Sequence, residues 1–368
     1  MADRDIDDLV AEWVREEIQA LSAYHVPEAE GVIKLDAMEN PYTWPPEMRQ
    51  AWLERLRQVD VNRYPHPQAP ALKEALHRSM AIPDGMGLVL GNGSDELIQM
   101  LAMTVGGPGR TILSPEPGFV MYRMIAVFLG MEYVGVPLRA DDFSLDTDAL
   151  LAAIDRERPA LLFLAYPNNP TGNLFDAGAL ERVLDAAPGL VVIDEAYAPF
   201  TDASFLPRLG EWPNLVVMRT VSKLGLAGLR LGLLAGPAAW LDQVEKTRLP
   251  YNINVLTQVS ATFALEHGGL FRRQTAAIRS ERQRLFEALS RLPGLRAWPS
   301  EANFILVRVT AGDASELHRR LRERGVLVKN LHGSHPLLEQ CLRLTVGTPE
   351  ENDTLLTALA GSLGEASG

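Results

Sequence analysis

Seven short apolar segments, each long enough for one β-strand, recur in the first two thirds of the chain and alternate with stretches of helical character. They cover residues 87–90, 111–113, 133–136, 161–165, 190–193, 215–218 and 231–235. Strands that alternate with helices usually form βαβ units, in which consecutive strands run parallel. The pattern therefore predicts an α/β fold, with a mostly parallel seven-stranded sheet between layers of helices.

The pattern changes on both sides of this region. Residues 6–21 carry apolar side chains on one face and acidic ones on the other, which predicts an amphipathic helix. After residue 255 the pattern is helical, and from residue 295 short strands and helices are mixed. These changes predict four parts of the chain, namely an N-terminal segment that joins the small domain (1–43), a large ligand-binding domain (44–266), a connecting helix (267–294) and a small α+β domain (295–368).

Three of the predicted strands are followed directly by polar motifs. The motifs are Asn168-Asn169-Pro170-Thr171, Asp194-Glu195-Ala196-Tyr197 and Thr220-Val221-Ser222-Lys223. Because ligands of α/β sheets bind beyond the carboxyl ends of the strands, we expect these motifs to form one site. Apolar residues follow Lys223, and desolvation there favours the neutral, nucleophilic form of its amine.

The residue types in these motifs suit the binding of pyridoxal phosphate. A lysine amine forms a Schiff base with this cofactor, and a carboxylate facing the pyridine nitrogen keeps that nitrogen protonated. Lys223 and Asp194 are the candidates for these two catalytic roles. The phenolic oxygen of the ring needs hydrogen-bond donors, which Asn169 and Tyr197 can supply.

The phosphate of such a cofactor needs hydroxyl groups, a guanidinium and backbone amides. Ser222 and Arg230 supply the first two, and Thr220 lies in the same loop. The glycine-rich string 91–96 follows a strand and opens a helix, whose first amides can hold an anion. Ser94 as an ordinary N-cap would explain that string equally well.

The order and spacing of the motifs resemble those of the fold-type I pyridoxal-phosphate enzymes of the aspartate aminotransferase superfamily, and more narrowly the histidinol-phosphate aminotransferase family. The resemblance covers nearly the whole chain. It runs from Leu21-Ser22-Ala23-Tyr24 and Glu39-Asn40-Pro41-Tyr42, through Arg63-Tyr64-Pro65 and the motifs above, to 341–348. It implies ping-pong transamination between histidinol phosphate and 2-oxoglutarate, a step of histidine biosynthesis, with pyridoxal phosphate as the cofactor.

The resemblance also favours the amides of Ser94, Asp95 and Glu96 as ligands of the cofactor phosphate, and it implies roles for residues outside these motifs. Phe119 stands where the family carries an aromatic ring stacked on the cofactor. Tyr64 matches a residue that reaches the cofactor phosphate of the neighbouring subunit, which implies a homodimer with shared active sites. Arg343 matches the arginine that binds the substrate anion. Tyr24 and Lys329 match positions that contact or flank the phosphate of the substrate.

Three departures from the family pattern leave the exact amino substrate open. Lys329 replaces the usual arginine, Met38 replaces the usual asparagine, and Lys223 is one residue closer to Arg230 than in many relatives. An ammonium group is a poorer fork for phosphate than a guanidinium. The alternatives are an aromatic or broad-specificity aminotransferase, a threonine-phosphate decarboxylase of similar fold and, last, a pyridoxal-phosphate-sensing regulator with a DNA-binding domain.

Composition and charge restrict the partners that we expect. The formal net charge is −12 and the chain has no Lys/Arg-rich block, which argues against nucleic acid or an anionic membrane. Apolar runs fall short of a membrane span and the first residues are acidic, so a cytoplasmic protein is expected. The single cysteine, Cys341, suits a reducing compartment. His332 and His335 lack further ligands nearby, so no metal site is expected.

Overall fold

The computed structural model of the protein describes residues 5–23 and 27–364. Twelve strands lie in these ranges and form two sheets. The strands are β1 (Ile33–Leu35), β2 (Met86–Gly91), β3 (Thr111–Glu116), β4 (Glu132–Pro137), β5 (Leu161–Ala165), β6 (Leu190–Asp194), β7 (Leu215–Thr220), β8 (Gly232–Pro237), β9 (Leu295–Ala297), β10 (Phe304–Val309), β11 (Val326–Asn330) and β12 (Cys341–Thr345).

Thirteen α-helices accompany the strands in the same described ranges. They are α1 (Ile6–Trp13), α2 (Glu16–Gln19), α3 (Pro46–Leu56), α4 (Pro70–Met80), α5 (Gly93–Val105), α6 (Val120–Leu129), α7 (Thr147–Glu157), α8 (Ala177–Ala186), α9 (Ala238–Val244), α10 (Val255–Glu266), α11 (Gly268–Leu289), α12 (Ala314–Glu323) and α13 (Pro349–Gly364). No helix within the described ranges is long and apolar enough to cross a membrane.

The larger sheet contains all seven of the apolar segments that stand out in the sequence. Its strands lie in the order β2-β8-β7-β6-β5-β3-β4, and only β8 runs antiparallel to its neighbours. The predicted mostly parallel seven-stranded sheet is therefore confirmed. Parallel strands place their carboxyl ends on one edge, so the loops that follow β5, β6 and β7 meet there.

Helices cover both faces of this sheet, as the side chains of β5 show. Leu162 and Leu164 belong to one buried apolar cluster, whereas Leu161 and Phe163 belong to another. Successive residues of a strand point to opposite faces, so each face of the sheet has its own core. Strands buried on both faces read as continuous apolar runs, which is why they were visible in the sequence.

The smaller sheet has five strands in the order β1-β11-β12-β10-β9. Helices α12 and α13 pack against it and share a third apolar core with it. Its first strand comes from the N-terminal part of the chain, where Ile33 pairs in parallel with Val326. The other pairs of this sheet are antiparallel, which gives the expected α+β arrangement.

The single amphipathic helix predicted over residues 6–21 is wrong in its extent. The structure has two short helices, α1 and α2, separated at Val14, which is extended with φ −87° and ψ 130°. Next to this break, Arg15 Nη2 donates to the carbonyl oxygen of Phe128 at 2.6 Å. Carbonyl groups in the last turn of a helix lack partners within that helix, so Arg15 satisfies one of them at the end of α6. The interruption is accompanied by this tertiary contact.

Candidate active site

A pocket lies beyond the carboxyl ends of β5, β6 and β7. Most of the cofactor-binding residues predicted from the sequence line it, although they come from loops far apart in the chain. Those that do are Ser94, Asp95, Phe119, Asn169, Asp194, Tyr197, Thr220, Ser222, Lys223 and Arg230. We call this space the lysine pocket, because Lys223 is the only lysine among the described residues that line it.

Lys223 is half-buried and lies in the loop that follows β7. Its Nζ donates to the carbonyl oxygen of Ala37 at 3.0 Å and is 5.9 Å from the centre of the Tyr197 ring. Burial, together with the nearby charge of Arg343, lowers the pKa of this amine to about 8. A substantial fraction of the amine is therefore neutral and nucleophilic near physiological pH.

Asp194 is the last residue of β6, and its carboxylate is fixed by two donors. Its Oδ1 accepts from the backbone amide of Ala196 at 3.1 Å and its Oδ2 accepts from the Tyr122 hydroxyl at 2.6 Å. Burial raises the pKa of Asp194 to about 6, against the opposite effect of these two donors. In the part of the chain that the structure describes, Asp194 forms no ion pair. A cationic group entering the pocket would stabilise its ionised form.

The next residue, Glu195, shows what a purely structural carboxylate looks like in this protein. Its side chain is fully buried and lies 2.6 Å from Arg219 Nη2, and it also accepts from the Ser204 hydroxyl at 2.9 Å. The Glu195 charge is thus neutralised inside the protein, as buried charges require. Asp194 lacks such a cation, which marks it as the carboxylate available to a ligand.

An anion site is formed where Arg230 crosses the start of α5. Arg230 Nη2 lies 3.3 Å from the Asp95 carboxylate, and a Cβ added to Gly93 would lie 2.7 Å from that nitrogen. Gly93 also has φ +79°, a backbone conformation that favours glycine, whereas the flexible Arg230 side chain could move aside. The guanidinium and the first amides of α5 therefore face the same space, as a bound phosphate needs. The Thr220 hydroxyl supports this corner by donating to Ser222 Oγ at 2.8 Å.

Glu96 does not line the lysine pocket, unlike the two residues before it. Its Oε2 accepts from the backbone amide of Asn92 at 2.6 Å and from Asn252 Nδ2 at 2.7 Å. The carboxylate thus serves the beginning of α5 in the manner of a capping box. The interpretation of Ser94 as the N-cap is wrong, because α5 begins at Gly93 and Asn92 is its N-cap.

Arg343 connects the lysine pocket with a second cavity. Its Nη1 donates to Asn169 Oδ1 at 2.6 Å and its Nη2 donates to the carbonyl oxygen of Asp36 at 3.0 Å. Because Asn169 accepts through its oxygen, its amide NH₂ group remains as the donor toward the pocket. The position of Asn169 in the lysine pocket therefore depends on Arg343 in β12 of the smaller sheet.

The second cavity, with a volume of roughly 390 Å³, shares Met38, Phe119 and Asn169 with the lysine pocket. We call it the substrate cavity. It is also lined by Lys329 and Arg343, which lie directly opposite each other in the antiparallel pair of β11 and β12. Like charges at directly opposite positions destabilise a sheet unless something neutralises them. Two cations that face one cavity give it a positive local charge, which favours the binding of an anionic group.

Besides Glu96, two predicted residues are not placed in either space. Tyr64 does not line the lysine pocket of its own chain; it is 80% exposed and stacks on Tyr251, with 4.5 Å between the ring centres. Tyr24 lies outside the residues that the structure describes. Phe119 lines both cavities and meets Tyr122 edge to face at 5.5 Å.

The sequence analysis missed two residues that shape the lysine pocket. Tyr122, which holds Asp194, is buried and stacks on Phe163 with 4.4 Å between the ring centres. Met38, noted only as a departure from the family, accepts from the Tyr197 hydroxyl through its sulfur at 3.1 Å. A signal for Tyr122 did exist, since it stands one helical turn after Phe119 and a buried tyrosine needs a hydrogen-bond partner.

The donor set matches pyridoxal phosphate. A buried amine can bond to the aldehyde, an uncompensated carboxylate can face the pyridine nitrogen, and the start of α5 with Arg230 can hold the phosphate. Within residues 5–23 and 27–364, no group of three or more His, Cys, Asp or Glu side chains could hold a metal ion.

Comparison with known proteins agrees with this geometry. The profile of the family described as aminotransferase class I and II matches residues 30–359. The chain is also 57% identical over 352 residues to histidinol-phosphate aminotransferase 2 of Nitrosococcus oceani, covering 96% of this chain and 98% of the relative. The chain belongs to the histidinol-phosphate aminotransferase family. Its fold is accordingly that of the fold-type I enzymes, and the chain is an aminotransferase.

Solved structures place this member of the histidinol-phosphate aminotransferase family in a wider group. The histidinol-phosphate aminotransferase of Sinorhizobium meliloti, solved in complex with pyridoxal 5′-phosphate, matches with a TM-score of 0.84 and 27% identity, over 95% of this chain and 97% of that one. The L-threonine-O-3-phosphate decarboxylase of Porphyromonas gingivalis matches with a TM-score of 0.75 and 23% identity, over 90% and 100% of the two chains. The fold alone therefore does not select the reaction.

Proposed function

We propose that this aminotransferase binds pyridoxal phosphate at Lys223 and transfers the amino group between histidinol phosphate and 2-oxoglutarate, as an enzyme of histidine biosynthesis in the cytoplasm. The observation that carries this substrate assignment is the pair of opposed cations, Lys329 and Arg343, beside the lysine pocket in a chain of this family. Histidinol phosphate has a phosphate but no carboxylate, so its anionic end needs such cations.

The cofactor would be held by groups already described. Asp194 would face the pyridine nitrogen, the amide group of Asn169 and the hydroxyl of Tyr197 would serve the phenolic oxygen, and Phe119 would stack on the ring. The phosphate would lie at the start of α5. Its ligands would be the amides of Ser94, Asp95 and Glu96 and the side chains of Thr220, Ser222 and Arg230.

When it is bound, the cofactor supplies an electron sink for the bond that breaks at the substrate carbon. Lys223 Nζ would take the proton from the amino-bearing carbon of the substrate and would deliver a proton to the carbon that came from the cofactor aldehyde. Its pKa of about 8 suits both directions of this transfer near neutral pH. Asp194 strengthens the sink because its buried carboxylate stabilises positive charge on the ring nitrogen.

The two substrates would share the substrate cavity. Lys329 and Arg343 would bind the phosphate of histidinol phosphate, and Arg343 would also bind a carboxylate of glutamate or 2-oxoglutarate. Tyr24, which lies outside the described residues, stays a predicted contact of the phosphate. Loss of carbon dioxide, the decarboxylase alternative, needs a substrate carboxylate on the reacting carbon, and histidinol phosphate has none.

One half-reaction tests the substrate directly. Purified protein is first converted to its amino form with glutamate, then challenged separately with imidazole acetol phosphate and phenylpyruvate while the cofactor absorption is followed. We expect imidazole acetol phosphate to restore the original spectrum rapidly and phenylpyruvate to do so slowly or not at all. Faster recovery with phenylpyruvate would move the assignment to an aromatic aminotransferase.

We further propose that the chain divides into domains at residues 43, 266 and 294. We also propose that the enzyme is a symmetric homodimer. Tyr64 does not reach the lysine pocket of its own chain, and it lies among exposed apolar side chains. Val61 is 74% exposed, Leu249 71% and Tyr251 41%. A second copy covering this area would bring its Tyr64 toward the cofactor phosphate of the first.

Mixing two inactive variants tests the shared sites. In a heterodimer of Tyr64→Ala and Lys223→Ala subunits, both lesions fall in one site and the other site is intact. After random subunit exchange, about a quarter of the wild-type activity should return, because half of the dimers carry one intact site. Absence of recovery, despite exchange proven by a mass tag, would contradict the shared site.

A further inference from the structure

The substrate cavity contains one carboxylate among the described residues that line it. Glu116 is the last residue of β3, and it faces the same cavity as the cations Arg123, Lys329 and Arg343. The residues that this cavity shares with the lysine pocket, Met38, Phe119 and Asn169, carry no charge. A single carboxylate, in a cavity whose other lining groups are cationic, neutral polar or apolar, is a candidate for recognising one particular donor of the ligand.

The Glu116 carboxylate is positioned by two residues of the neighbouring strand β4, Gly135 and Tyr133. The carboxylate lies over Gly135 in the neighbouring strand β4, where an added Cβ would be 2.2 Å from Glu116 Oε2. The Tyr133 hydroxyl is a hydrogen-bond partner of this carboxylate and also lies 2.8 Å from Ser114 Oγ. Glycine at 135 and the hydroxyl of Tyr133 thus hold the carboxylate at the end of β3.

Glu116 is half-buried and forms no ion pair within the described residues 5–23 and 27–364. Two of its own neighbours could compete for it. The Arg123 guanidinium lies 5.4 Å from the Tyr133 ring, and the neutral His335 carries its proton on Nε2 because its Nδ1 accepts from the Leu337 amide at 3.1 Å. Neither is within ion-pair distance of Glu116, so the carboxylate retains the capacity to accept from a ligand.

We propose that Glu116 accepts a hydrogen bond from a ring N–H of an imidazole-bearing substrate and disfavours substrates with a hydrocarbon ring. This inference rests on the proposed function and extends it to the second end of the substrate. The phosphate end goes to Lys329 and Arg343, which leaves the ring near Glu116 in the same cavity.

Selectivity follows from the cost of an unpaired charge. A phenyl ring in this position would cover the Glu116 carboxylate without offering it a donor, so the carboxylate would lose water and gain nothing. An imidazole ring replaces the lost water with a charge-assisted hydrogen bond. Glu116 thereby separates histidinol phosphate from phenylalanine, the substrate of the aromatic alternative, by penalising the wrong ligand as well as by binding the right one.

Variants of Glu116 test the inference. We would measure kcat/KM for histidinol phosphate and for phenylalanine, each with 2-oxoglutarate, in the wild-type enzyme, Glu116→Ala and Glu116→Gln. Glu116→Ala should lower kcat/KM for histidinol phosphate at least about tenfold, which is about 1.4 kcal/mol, and raise it for phenylalanine. Glu116→Gln should lie between, because its amide oxygen still accepts. The matched control is Glu132→Ala, an exposed residue at the start of β4 outside the cavity.

A second variant moves the carboxylate without changing its chemistry. Gly135→Ala places a methyl group where Glu116 Oε2 lies, and the flexible glutamate side chain must shift. We expect kcat/KM to fall for histidinol phosphate and to rise for phenylalanine, as for Glu116→Ala. The thermal midpoint of unfolding should stay close to that of the wild type. Calorimetric binding of histidinol phosphate to the Lys223→Ala protein, with and without Glu116→Ala, gives a readout independent of turnover, and the affinity should fall in parallel.

The outcomes separate the two proposals. If the wild-type enzyme does not use histidinol phosphate, the proposed function fails and the inference falls with it. If the wild-type enzyme does use histidinol phosphate, but Glu116→Ala changes the two amino substrates and the glutamate half-reaction equally, the role of Glu116 is structural and the inference alone is overturned. The inference would also be overturned if Gly135→Ala had the same ratio of kcat/KM for histidinol phosphate to kcat/KM for phenylalanine as the wild type.

Discussion

The lysine pocket and the substrate cavity share a wall but are built in different ways. The side chains of the lysine pocket come mainly from loops that follow neighbouring strands of one sheet, and several are already fixed by partners inside the protein, such as Tyr122 on Asp194. The substrate cavity is formed between the two sheets, by β3 and α6 on one side and by β11 and β12 on the other. Its cations Lys329 and Arg123 form no ion pair within the described ranges.

This difference suggests a division of labour. Groups that are fixed before any ligand binds can stabilise the same transition state for many substrates. Groups without internal partners gain most when a ligand supplies the missing charge, so they decide which ligand binds. Changes in the lysine pocket should therefore affect every substrate, and changes in the substrate cavity should affect substrates unequally.

The largest effect is expected from Lys223→Ala. This variant should lose turnover with every substrate and should lack the resting absorption of cofactor bonded to lysine, because no other lysine lines the lysine pocket in the part of the chain that the structure describes. Lys246→Ala, which removes an exposed lysine, is the control and should behave as the wild type. Normal turnover by Lys223→Ala would contradict the assignment of the lysine pocket as the catalytic site.

Asp194→Ala should cause the second largest loss, again equal for all amino substrates. We expect kcat to fall about a hundredfold or more while the cofactor content of the purified protein falls much less, because the carboxylate acts mainly on the transition state. Steady-state kinetics together with cofactor quantification by absorbance measures both. Full kcat in this variant would show that the carboxylate does not serve the ring nitrogen.

Substitutions of the opposed cations should distinguish substrates. Lys329→Ala should raise KM for histidinol phosphate about tenfold and leave KM for glutamate nearly unchanged, since a charge-assisted contact with phosphate is worth about 1.5–3 kcal/mol. Arg343→Ala should damage both half-reactions, because it also releases Asn169 in the lysine pocket. Equal effects of Lys329→Ala on KM for histidinol phosphate and for glutamate would contradict the claim that the substrate cavity distinguishes substrates.

Tyr122→Phe should give a smaller effect that depends on pH. The pKa of Asp194 is already raised to about 6 by burial, and losing the hydroxyl donor should raise it further. The ionised carboxylate favours a cationic ring, so cofactor affinity should fall as the pH drops through the Asp194 pKa. Cofactor affinity would be measured between pH 5 and 8. Because cofactor binding is linked to ionisation of Asp194, the fall in affinity should occur at a higher pH in Tyr122→Phe than in the wild type. Coincident profiles would mean that Tyr122 only packs.

Prediction from sequence was most successful where a single local pattern determines the structure. The strands of the large sheet are buried on both faces, so they appear as uninterrupted apolar runs such as residues 161–165 and 215–218. The lysine pocket followed, because polar motifs directly after buried strands must meet at one edge of the sheet. Glu96 was assigned with its neighbours, but its carboxylate is engaged by Asn252, which is far away in the sequence.

Contacts between distant segments account for what the sequence did not predict. The break between α1 and α2 accompanies the contact of Arg15 with Phe128, 113 residues further along the chain. Tyr122 and Asp194 are 72 residues apart, and Glu116 becomes notable only when β4 places Gly135 beneath it. No periodicity or motif encodes such pairs, because each half is an ordinary residue of its own segment.

The measurement that tests the central claim most directly is the substrate preference of the wild-type enzyme. We would determine kcat/KM for histidinol phosphate and for phenylalanine with 2-oxoglutarate as the common acceptor, in one buffer and with one protein preparation. The opposed cations and the acceptor at Glu116 predict a preference for histidinol phosphate of at least about a hundredfold. Equal values, or a preference for phenylalanine, would contradict the assignment of the substrate cavity while leaving the lysine pocket as described.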